Sequence, residues 1–303
     1  MGNQKIHVIG SGSFLASNLI PLLRKNEKNI VHFGRKNTAQ NNELFHLFQH
    51  PNSPLDLSIL LQADVIIYAA SLGVQSGDNS PSEWIHEVNT NIPSNIFTFL
   101  QKNNFKGSIF TFGSYFEIGN NANEISFDES DIISSSLPAA NIYTESKRNL
   151  TRFIHQNTFD FTHYHLILPT IYGENENKNR LIPYLVNGLQ AKQKITLTQG
   201  TQIRQYLYVE DLCHLIAQTI EKPIPSGIYN VSPFETIKVR DLVNKIVNLL
   251  NASSNSIEFN SIERQDLSMK ALLLNCHKLE KACSWQPKYS LEEIIHKYVS
   301  SKQ

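Results

Sequence analysis

Residues 7–19 read HVIGSGSFLASNL, and the predicted fold rests on this segment. The apolar run of residues 5–10 predicts a buried strand, and the periodic apolar positions of 13–25 predict a helix directly after it. Gly10 and Gly12 allow the backbone to approach a pyrophosphate at the helix N-terminus, where free N–H groups attract anions. The turn therefore predicts a dinucleotide-binding site at the end of the first strand.

The glycine spacing of this turn departs from the strict G-x-G-x-x-G pattern, because Leu15 stands where the last glycine is expected. In the longer G-x-x-G-x-x-G pattern the three positions hold Gly10, Ser13 and Ala16, which are all small. A glycine-rich connection without a ligand is the alternative, but the position between a first strand and a helix favours the cofactor. The residues that we expect to contact the cofactor here are Gly10, Gly12, Ser13, Phe14 and Leu15.

Strand and helix patterns alternate along the first half of the chain. Apolar runs at 29–34, 64–71 and 107–114 predict further buried strands, and amphipathic segments between them predict helices. Because these strands lack polar alternation, they fit a parallel sheet that is covered by helices on both faces. We predict an α/β fold, with a doubly wound parallel sheet and a smaller, interleaved C-terminal α/β substrate domain.

The pattern loosens after residue 172, and this sets the predicted domain limits. Residues 1–172 form the predicted dinucleotide-binding domain, and 205–235 return to it. The predicted substrate-binding part consists of 173–204 and 236–303.

Two local predictions concern segments near the candidate site. The segment EWIHEVNTNIPSNIFTFLQKN (83–103) predicts one long helix, and HYHLILPTIYG (163–173) predicts one strand.

The composition argues against several kinds of partner. The 303 residues carry 27 Lys plus Arg and 27 Asp plus Glu, and no basic stripe is visible for nucleic acid or an anionic membrane. No apolar run reaches the ~20 residues that span a bilayer, and no signal-peptide pattern precedes the first strand. Three cysteines without a CxxC pair, and scattered histidines, predict neither disulfides nor a metal site. We expect a cytoplasmic protein.

The end of the second strand, VHFGRK (31–36), indicates which dinucleotide binds. NAD-binding proteins usually place an acidic residue there, against the ribose hydroxyls. Here Gly34 leaves space, and Arg35 with Lys36 offers positive charge to a 2′-phosphate. The sequence favours NADP(H), with NAD(H) as the alternative if both cations are only solvated loop residues.

Tyr143 and Lys147, in the segment NIYTESKRNL, are four positions apart and share a helix face. A lysine one turn from a tyrosine lowers the phenol pKa, which is otherwise too high for proton exchange at neutral pH. Chance pairing is the alternative, because Tyr298 and Lys302 show the same spacing. Only Tyr143 follows a predicted strand that ends in a serine, Ser114, and we expect Tyr298 to be a surface residue.

Seven landmarks follow one another along nearly the whole chain. They are the glycine turn at residue 10, YAAS (68–71), VNTNIPSN (88–95), FGSYFEIG (112–119), the Tyr143–Lys147 pair, LPTIYG (168–173) and TQIRQYLYVEDL (201–212). In this order they resemble the extended short-chain dehydrogenases/reductases of the nucleotide-sugar epimerase/dehydratase type. The resemblance implies a Rossmann-like sheet and an NAD(P)-dependent enzyme.

The same resemblance implies the roles of the catalytic residues. Ser114, five residues before Gly119, would hydrogen-bond the substrate oxygen, although Ile118 replaces the usual tyrosine before that glycine. Tyr143 would donate the proton, while Lys147 would lower the phenol pKa and hold the nicotinamide ribose. The cofactor site would further include Ala69, Ala70, Ser71, Asn89, Tyr143, Lys147, Pro169 and Ile171, with Asn89 supporting the fourth strand. Ordinary core packing is the alternative for the apolar members of this set.

The implied substrate is a nucleoside-diphosphate sugar. Arg204 and Arg264 match the arginines that hold the diphosphate in this family, although the RPGD usual around the second is absent here. Asn179 and Arg180 stand where relatives begin the helix that caps the substrate. The implied substrate residues are Ser114, Tyr115, Asn179, Arg180, Arg204 and Arg264, and surface salt bridging is the alternative for the arginines.

Within the family, the chain is similar to the 4-ketoreductases that complete deoxyhexoses such as abequose. The resemblance implies NADPH-dependent reduction of a nucleotide-linked 4-keto-6-deoxyhexose, in the synthesis of deoxysugar precursors of surface polysaccharides such as lipopolysaccharide. Dehydratases of the family usually carry Asp–Glu after the catalytic serine or threonine, whereas Tyr115 and Phe116 follow Ser114 here.

Three other functions stay open at the level of the sequence. They are an NAD-dependent nucleotide-sugar 4-epimerase, a non-catalytic NADP-binding regulatory subunit, and a reductase of a substrate without a nucleotide. The family also implies a homodimer through the helices that carry Asn89 and Tyr143.

Overall fold

The computed structural model describes residues 4–74, 79–233, 235–260 and 269–300. The strands of these residues are β1 (Lys5–Ile9), β2 (Asn29–Gly34), β3 (Leu44–Leu47), β4 (Val65–Tyr68), β5 (Ser108–Ser114), β6 (Ser126–Phe127), β7 (Thr162–Leu168), β8 (Thr170–Tyr172), β9 (Ile195–Leu197), β10 (Ile203–Arg204), β11 (Tyr206–Tyr208), β12 (Gly227–Asn230), β13 (Ile237–Lys238), β14 (Ile257–Phe259) and β15 (Ala271–Leu274). The α-helices are α1 (Phe14–Lys25), α2 (Leu57–Leu60), α3 (Ser82–His86), α4 (Ile92–Lys102), α5 (Glu129–Ser134), α6 (Ile142–Gln156), α7 (Leu181–Gln190), α8 (Val209–Glu221), α9 (Val239–Leu249), α10 (His277–Ala282) and α11 (Leu291–Ser300).

A seven-stranded sheet in the order β12-β7-β5-β4-β1-β2-β3 forms the centre of the protein. Every neighbouring pair in this sheet is parallel. The chain runs outward from β1 to β3 and then returns to β4 on the other side of β1, so the strand order reverses between β1 and β4. This confirms the predicted doubly wound, Rossmann-like α/β fold, and ligands of such sheets bind outside the carboxyl ends of the strands at the reversal.

Both faces of the sheet are buried, which explains the unbroken apolar runs of its strands. Ile6 and Val8 of β1 face one core, which also contains Leu19 of α1 and Leu212 of α8. Ile9 faces the other core, which α4 and α6 cover with side chains that include Phe97 and Leu150.

The smaller strands form separate sheets next to the central one. A four-stranded sheet has the order β13-β10-β15-β6, and β11 pairs with β8 while β14 pairs with β9. β12, at residues 227–230, is an edge strand of the central sheet, whereas β6 belongs to the four-stranded sheet. The limits of the two domains stay a prediction. Within the described part of the chain, no helix combines the length and apolar character that a membrane crossing requires.

The structure corrects two local predictions. The segment 83–103 is not one regular helix, because a π-helical turn, Glu87–Asn91, separates α3 from α4. The segment 163–173 is two strands with different partners, since Pro169 lacks the N–H that a continuous ladder needs. The sequence analysis also did not identify β3, a short edge strand whose Leu44 and Leu47 are exposed and give no buried apolar signal.

Candidate active site

The glycine turn brings the ends of three strands together. Gly10 has φ +81°, and a Cβ atom at this position would lie 2.5 Å from the backbone nitrogen of Ala70, so only glycine fits. The backbone N–H of Gly10 donates to the carbonyl of Phe33 at 2.8 Å, at the end of β2. The ends of β1, β2 and β4 are therefore fixed within hydrogen-bonding distance of one another.

The start of α1 fits the phosphate group of a dinucleotide. Ser13 caps the helix, because its hydroxyl accepts a hydrogen bond from the N–H of Ala16 at 3.2 Å. A Cβ atom at Gly12 would meet nothing within 4 Å, so this glycine borders open space directly before the helix. Phe14 is the first residue of α1, and Leu15 is buried in the core behind the turn.

The end of β2 offers positive charge and no free carboxylate. Arg35 and Lys36 are exposed, and Gly34 lies with its Cβ position 3.0 Å from the hydroxyl of Ser11. The nearby carboxylate, Glu43, is bound by Arg24 through two contacts of 2.7 Å.

His32 also binds Glu43, with Nε2 2.9 Å from the carboxylate. Although burial opposes ionisation, the hydrogen bond with Arg24 and further bonds and charges lower the pKa of Glu43 to about 2. Glu43 thus remains ionised and occupied by protein partners.

Asn89 connects the loop after β4 to the helix that carries Tyr143. Its side chain is completely buried in the π-helical turn. The amide oxygen accepts from the N–H of Leu72 at 3.0 Å and from the hydroxyl of Ser71, while the amide nitrogen donates to Leu72 O at 2.9 Å and to Ser146 Oγ at 3.0 Å. These partners occupy the whole amide, so Asn89 supports the site from behind. Ala69 and Ala70 follow β4 and are partly exposed.

Ser114 and Tyr143 meet at the carboxyl end of β5. Ser114 is the last residue of that strand, and Tyr143 lies in the first turn of α6, whose N-cap is Asn141. The Ser114 hydroxyl is close enough to Tyr143 to stabilise the phenolate, although burial and the charge of Glu117 outweigh this and raise the pKa of Tyr143 to about 12. The phenol is therefore protonated at neutral pH, and the lower pKa that the Tyr143–Lys147 spacing predicted is not found, because burial has the larger effect.

Lys147 lies one helical turn after Tyr143 and is almost fully buried. Its Nζ is 5.9 Å from the centre of the Tyr143 ring and donates to the carbonyl of Phe112 at 3.0 Å. Burial lowers the pKa of Lys147 to about 8, and the negative charge of Glu117 opposes this shift. The structure thus brings Ser114, Tyr143 and Lys147 together.

A group of tyrosines and arginines lies next to these three residues. The hydroxyl of Tyr115 is 2.6 Å from Thr170 Oγ1. Burial raises the pKa of Tyr115 and of Tyr206, and the positive charges of Arg204 and Arg180 oppose this rise in both. Pro169, which is buried, and Ile171 of β8 belong to the same edge of the sheet.

The predicted substrate residues differ in their surroundings. Arg204 is 5% exposed, and its Nη2 atom has no hydrogen-bond partner among the described residues. Arg180 is the N-cap residue of α7 and forms an ion pair with Glu176, Nε to Oε1 3.0 Å, while its charge partly opposes the rise in the pKa of Tyr143. Asn179 is exposed, and Arg264 lies outside the described residues.

The sequence analysis missed four residues of this region. Thr170, Tyr206 and Glu117 lie inside segments that the landmarks contain, but nothing in their spacing distinguished them from core residues. His165 lay in a strand where an isolated histidine gives no signal of its partners. A single carboxylate directly after an apolar strand was the one available clue to Glu117.

The fold is a Rossmann-type α/β fold, and the candidate site lies at the carboxyl edge of its parallel sheet. The model of the NAD dependent epimerase/dehydratase family matches residues 6–232 of the sequence. The chain belongs to this family, which confirms the resemblance in the motifs.

Known proteins similar to the chain fall in the same family. A CDP-abequose synthase of Salmonella typhimurium is 29% identical over 160 residues, which cover 50% of this chain and 53% of that enzyme, so the match spans about half the length of the relative. The structure of a dTDP-glucose 4,6-dehydratase from Bacillus anthracis in complex with NAD covers 99% of this chain and 97% of its own, with a TM-score of 0.79 and 18% identity. The structure of a UDP-glucose 4-epimerase of Thermotoga maritima with UDP-glucose covers 98% of this chain and 97% of its own, with a TM-score of 0.80 and 14% identity. These structures share the fold.

We predict that alanine at Gly10 and at Gly12 has different effects. Gly10→Ala forces a Cβ atom against the backbone of Ala70, so it should lower the free energy of unfolding by about 1–3 kcal/mol. Gly12→Ala leaves the fold intact, because its methyl group enters open space, but it should weaken dinucleotide binding by about tenfold or more, or about 1.4 kcal/mol. Urea unfolding and calorimetric titration with NADPH measure the two effects. Unchanged NADPH binding by Gly12→Ala would contradict the placement of the phosphates.

Proposed function

We propose that the protein reduces the 4-keto group of a nucleotide-linked 4-keto-6-deoxyhexose, with NADPH as the reductant. The product is a nucleotide deoxysugar of the kind used for surface polysaccharides. The observation that carries this proposal is the meeting of Ser114 and Tyr143 at the end of β5, with Lys147 one turn behind. On the resemblance alone, we also propose that the enzyme acts as a cytoplasmic homodimer.

The side chains divide the work of a carbonyl reduction among them. Tyr143 holds its proton at neutral pH, so it can donate to the oxygen of the keto group as negative charge develops there. The Lys147 ammonium reduces the cost of the phenolate that remains, and the Ser114 hydroxyl orients the carbonyl oxygen. The bound dinucleotide supplies the hydride.

The residues after Ser114 support reduction over dehydration. Tyr115 and Phe116 occupy the positions where related dehydratases usually carry an acidic pair. The nearest carboxylate, Glu117, is completely buried and accepts hydrogen bonds from the Ser114 N–H and the Thr151 hydroxyl. A carboxylate bound in this way is directed into the protein, so it offers no acid for the elimination of water.

Arg204 supports a substrate that carries a diphosphate. A buried guanidinium normally has a carboxylate partner, since an unpaired buried charge is costly. Arg204 instead donates to a neighbouring carbonyl, Ile203 O at 2.8 Å, and has a free Nη2 atom. A diphosphate oxygen would satisfy this group, and Arg180 provides a second cation near Tyr143.

The test of the proposed reaction is the oxidation of NADPH by CDP-, dTDP-, GDP- and UDP-linked 4-keto-6-deoxyhexoses. We expect one of them to be reduced, and Tyr143→Phe should lower turnover by about 10²–10⁴-fold without weakening NADPH binding. Absorbance at the NADPH band and mass spectrometry of the sugar nucleotide follow the reaction.

The alternatives give different outcomes in this test. Tightly held NAD together with interconversion of two 4-epimers identifies an epimerase. Reduction of free keto sugars without a nucleotide identifies the other type of reductase. Unchanged turnover in Tyr143→Phe would overturn the assignment of the acid, and binding of NADPH without any turnover would favour a regulatory subunit.

We predict that Arg204→Met removes the recognition of nucleoside diphosphates. Methionine fills a similar volume without charge, so the folded protein should lose at least about 1.5–3 kcal/mol of diphosphate binding. Thermal shift with CDP, dTDP, GDP and UDP measures this loss of nucleotide binding. Arg152→Met is the matched control, because Arg152 on α6 also donates to main-chain carbonyls, including Ile133 O at 3.1 Å. Equal stabilisation of both variants by the nucleotides would contradict the role of Arg204.

We predict that Arg35 and Lys36 select NADPH. The double substitution R35S/K36S should weaken NADPH binding by about 10–100-fold, which is the loss expected for one or two charge-assisted contacts. NADH binding should change by less than about threefold, because NADH has no 2′-phosphate for these cations. Equilibrium titrations with both dinucleotides provide the ratio, and an equal loss for both would argue against a 2′-phosphate contact.

A further inference from the structure

Glu117 is a buried carboxylate directly behind the catalytic strand end. It is completely inaccessible to solvent and lies in the short 3-10 turn Tyr115–Ile118. Its Oε1 atom accepts the N–H of Ser114 at 2.6 Å, and its Oε2 atom accepts the hydroxyl of Thr151 at 2.5 Å. One carboxylate therefore joins the end of β5 to the middle of α6, the two elements that carry Ser114 and Lys147.

Behind Glu117 the hydrogen bonds continue into the core. Thr151 Oγ1 is 2.9 Å from His165 Nε2, and His165 Nδ1 is 2.8 Å from Thr111 Oγ1. All three of these residues are completely buried, so the chain of hydrogen bonds ends inside the protein. These hydrogen bonds hold the carboxylate in place from behind, and they offer no route for protons to solvent.

Gly113 leaves the space in which this support is built. A Cβ atom at this position would lie 2.7 Å from Glu117 Oε1 and 2.8 Å from His165 Nε2. No side chain fits there without displacing the carboxylate. The presence of glycine directly before Ser114 is thus explained by the space that the Glu117 carboxylate occupies.

The charged groups around Glu117 come from two elements. Lys147 and Arg148 of α6 bring positive charge towards it, and His165 of β7 contacts its partner Thr151. Arg148 donates through Nε to the Glu117 carbonyl at 2.7 Å. Burial keeps His165 neutral by lowering its pKa to about 3, so the cations near Glu117 are Lys147 and Arg148.

Among the described residues, no carboxylate is in hydrogen-bonding contact with Lys147. Its Nζ donates to the neutral carbonyl of Phe112. The charge of Glu117 is the one that opposes the effect of burial on this ammonium. The same charge disfavours the phenolate of Tyr143. A negative group at this place thus favours the protonated forms of both Lys147 and Tyr143.

We propose that Glu117 is a positioning residue of the reductase, which fixes the backbone of Ser114 and, held by Thr151 one helical turn after Lys147, provides the buried counter-charge for that lysine. The proposal rests on the proposed function for its catalytic meaning. The electrostatic coupling of Glu117 to Lys147, called their pairing below, is a property of the protein alone and can be measured without a substrate.

The test is the substitution Glu117→Gln, which keeps the size of the side chain and an oxygen for the Ser114 N–H. The titration of Lys147 is followed by NMR of protein labelled with ¹³Cε-lysine, and Lys147→Met assigns the signal. Loss of the nearby negative charge should lower the pKa of Lys147 by about one unit. The alkaline limb of NADPH-dependent reduction should move to lower pH by the same amount.

Glu129→Gln is the matched control. Glu129 is also buried, and it accepts the backbone N–H of Asn230 at 2.7 Å. It lies in α5 and its partner lies in β12, so neither residue is in β5 or α6. This variant should leave the Lys147 titration and the pH profile unchanged. Equal titration of Lys147 in the wild type, Glu117→Gln and Glu129→Gln would overturn the proposal.

A wild-type measurement keeps the test decisive if Glu117→Gln does not fold. Burial raises the pKa of Glu117 to about 7, so ¹³Cδ-glutamate labelling should show its titration in that range. The Lys147 signal must respond in the same range, and a flat Lys147 signal there overturns the pairing. A coupled titration without reduction of any keto sugar nucleotide supports the pairing and overturns the proposed reaction instead.

Discussion

Parallel strands end at one edge of a sheet, and the candidate site is built around that edge. The glycine turn follows β1, Ala69 and Ala70 follow β4, and Ser114 ends β5. Because the strand order reverses between β1 and β4, the loops after these strands diverge and leave a crevice. Gly10 approaches the backbone of Ala70 so closely that no side chain fits, and this contact sets the floor of the crevice. The helix α1 begins directly above it, with Ser13 as its cap.

Polar groups inside the protein connect this crevice to the catalytic helix. Asn89 binds both the loop after β4 and Ser146 of α6, and Thr90 donates to Ser146 O at 2.7 Å. The π-helical turn between α3 and α4 presents both side chains to α6. Such turns often occur at functional sites, because the extra residue changes the direction of neighbouring side chains. The position of Tyr143 is thus determined together with the loop after β4.

Buried charge is the energetic cost of this arrangement. Lys147, Glu117 and Arg204 are each at least nine-tenths buried, and removing an ion from water costs several kcal/mol unless partners compensate. Lys147 and Glu117 compensate each other in part, because each charge opposes the pKa shift that burial causes in the other group. Among the described residues Arg204 has only a carbonyl partner, so its counter-charge would come from the diphosphate of the proposed substrate. A core built only for stability would place apolar residues at these positions.

The sequence by itself determined the fold class, because apolar runs without alternation require a sheet that is buried on both faces. It also identified the glycine turn, whereas Ser114, Tyr143 and Lys147 were singled out by the resemblance of the ordered motifs to a known family, because Tyr298 and Lys302 have the same spacing. Tertiary structure alone decided the pairing of Glu117 with Ser114 and Thr151, the identity of the partners through which Asn89 gives its predicted support, and the lack of a carboxylate partner for Arg204 among the described residues. These features depend on contacts between residues far apart in sequence, such as Glu117 and Thr151. They also depend on burial, which shifts the pKa of Glu117 and leaves a donor of Arg204 without a partner among the described residues. No local pattern contains that information.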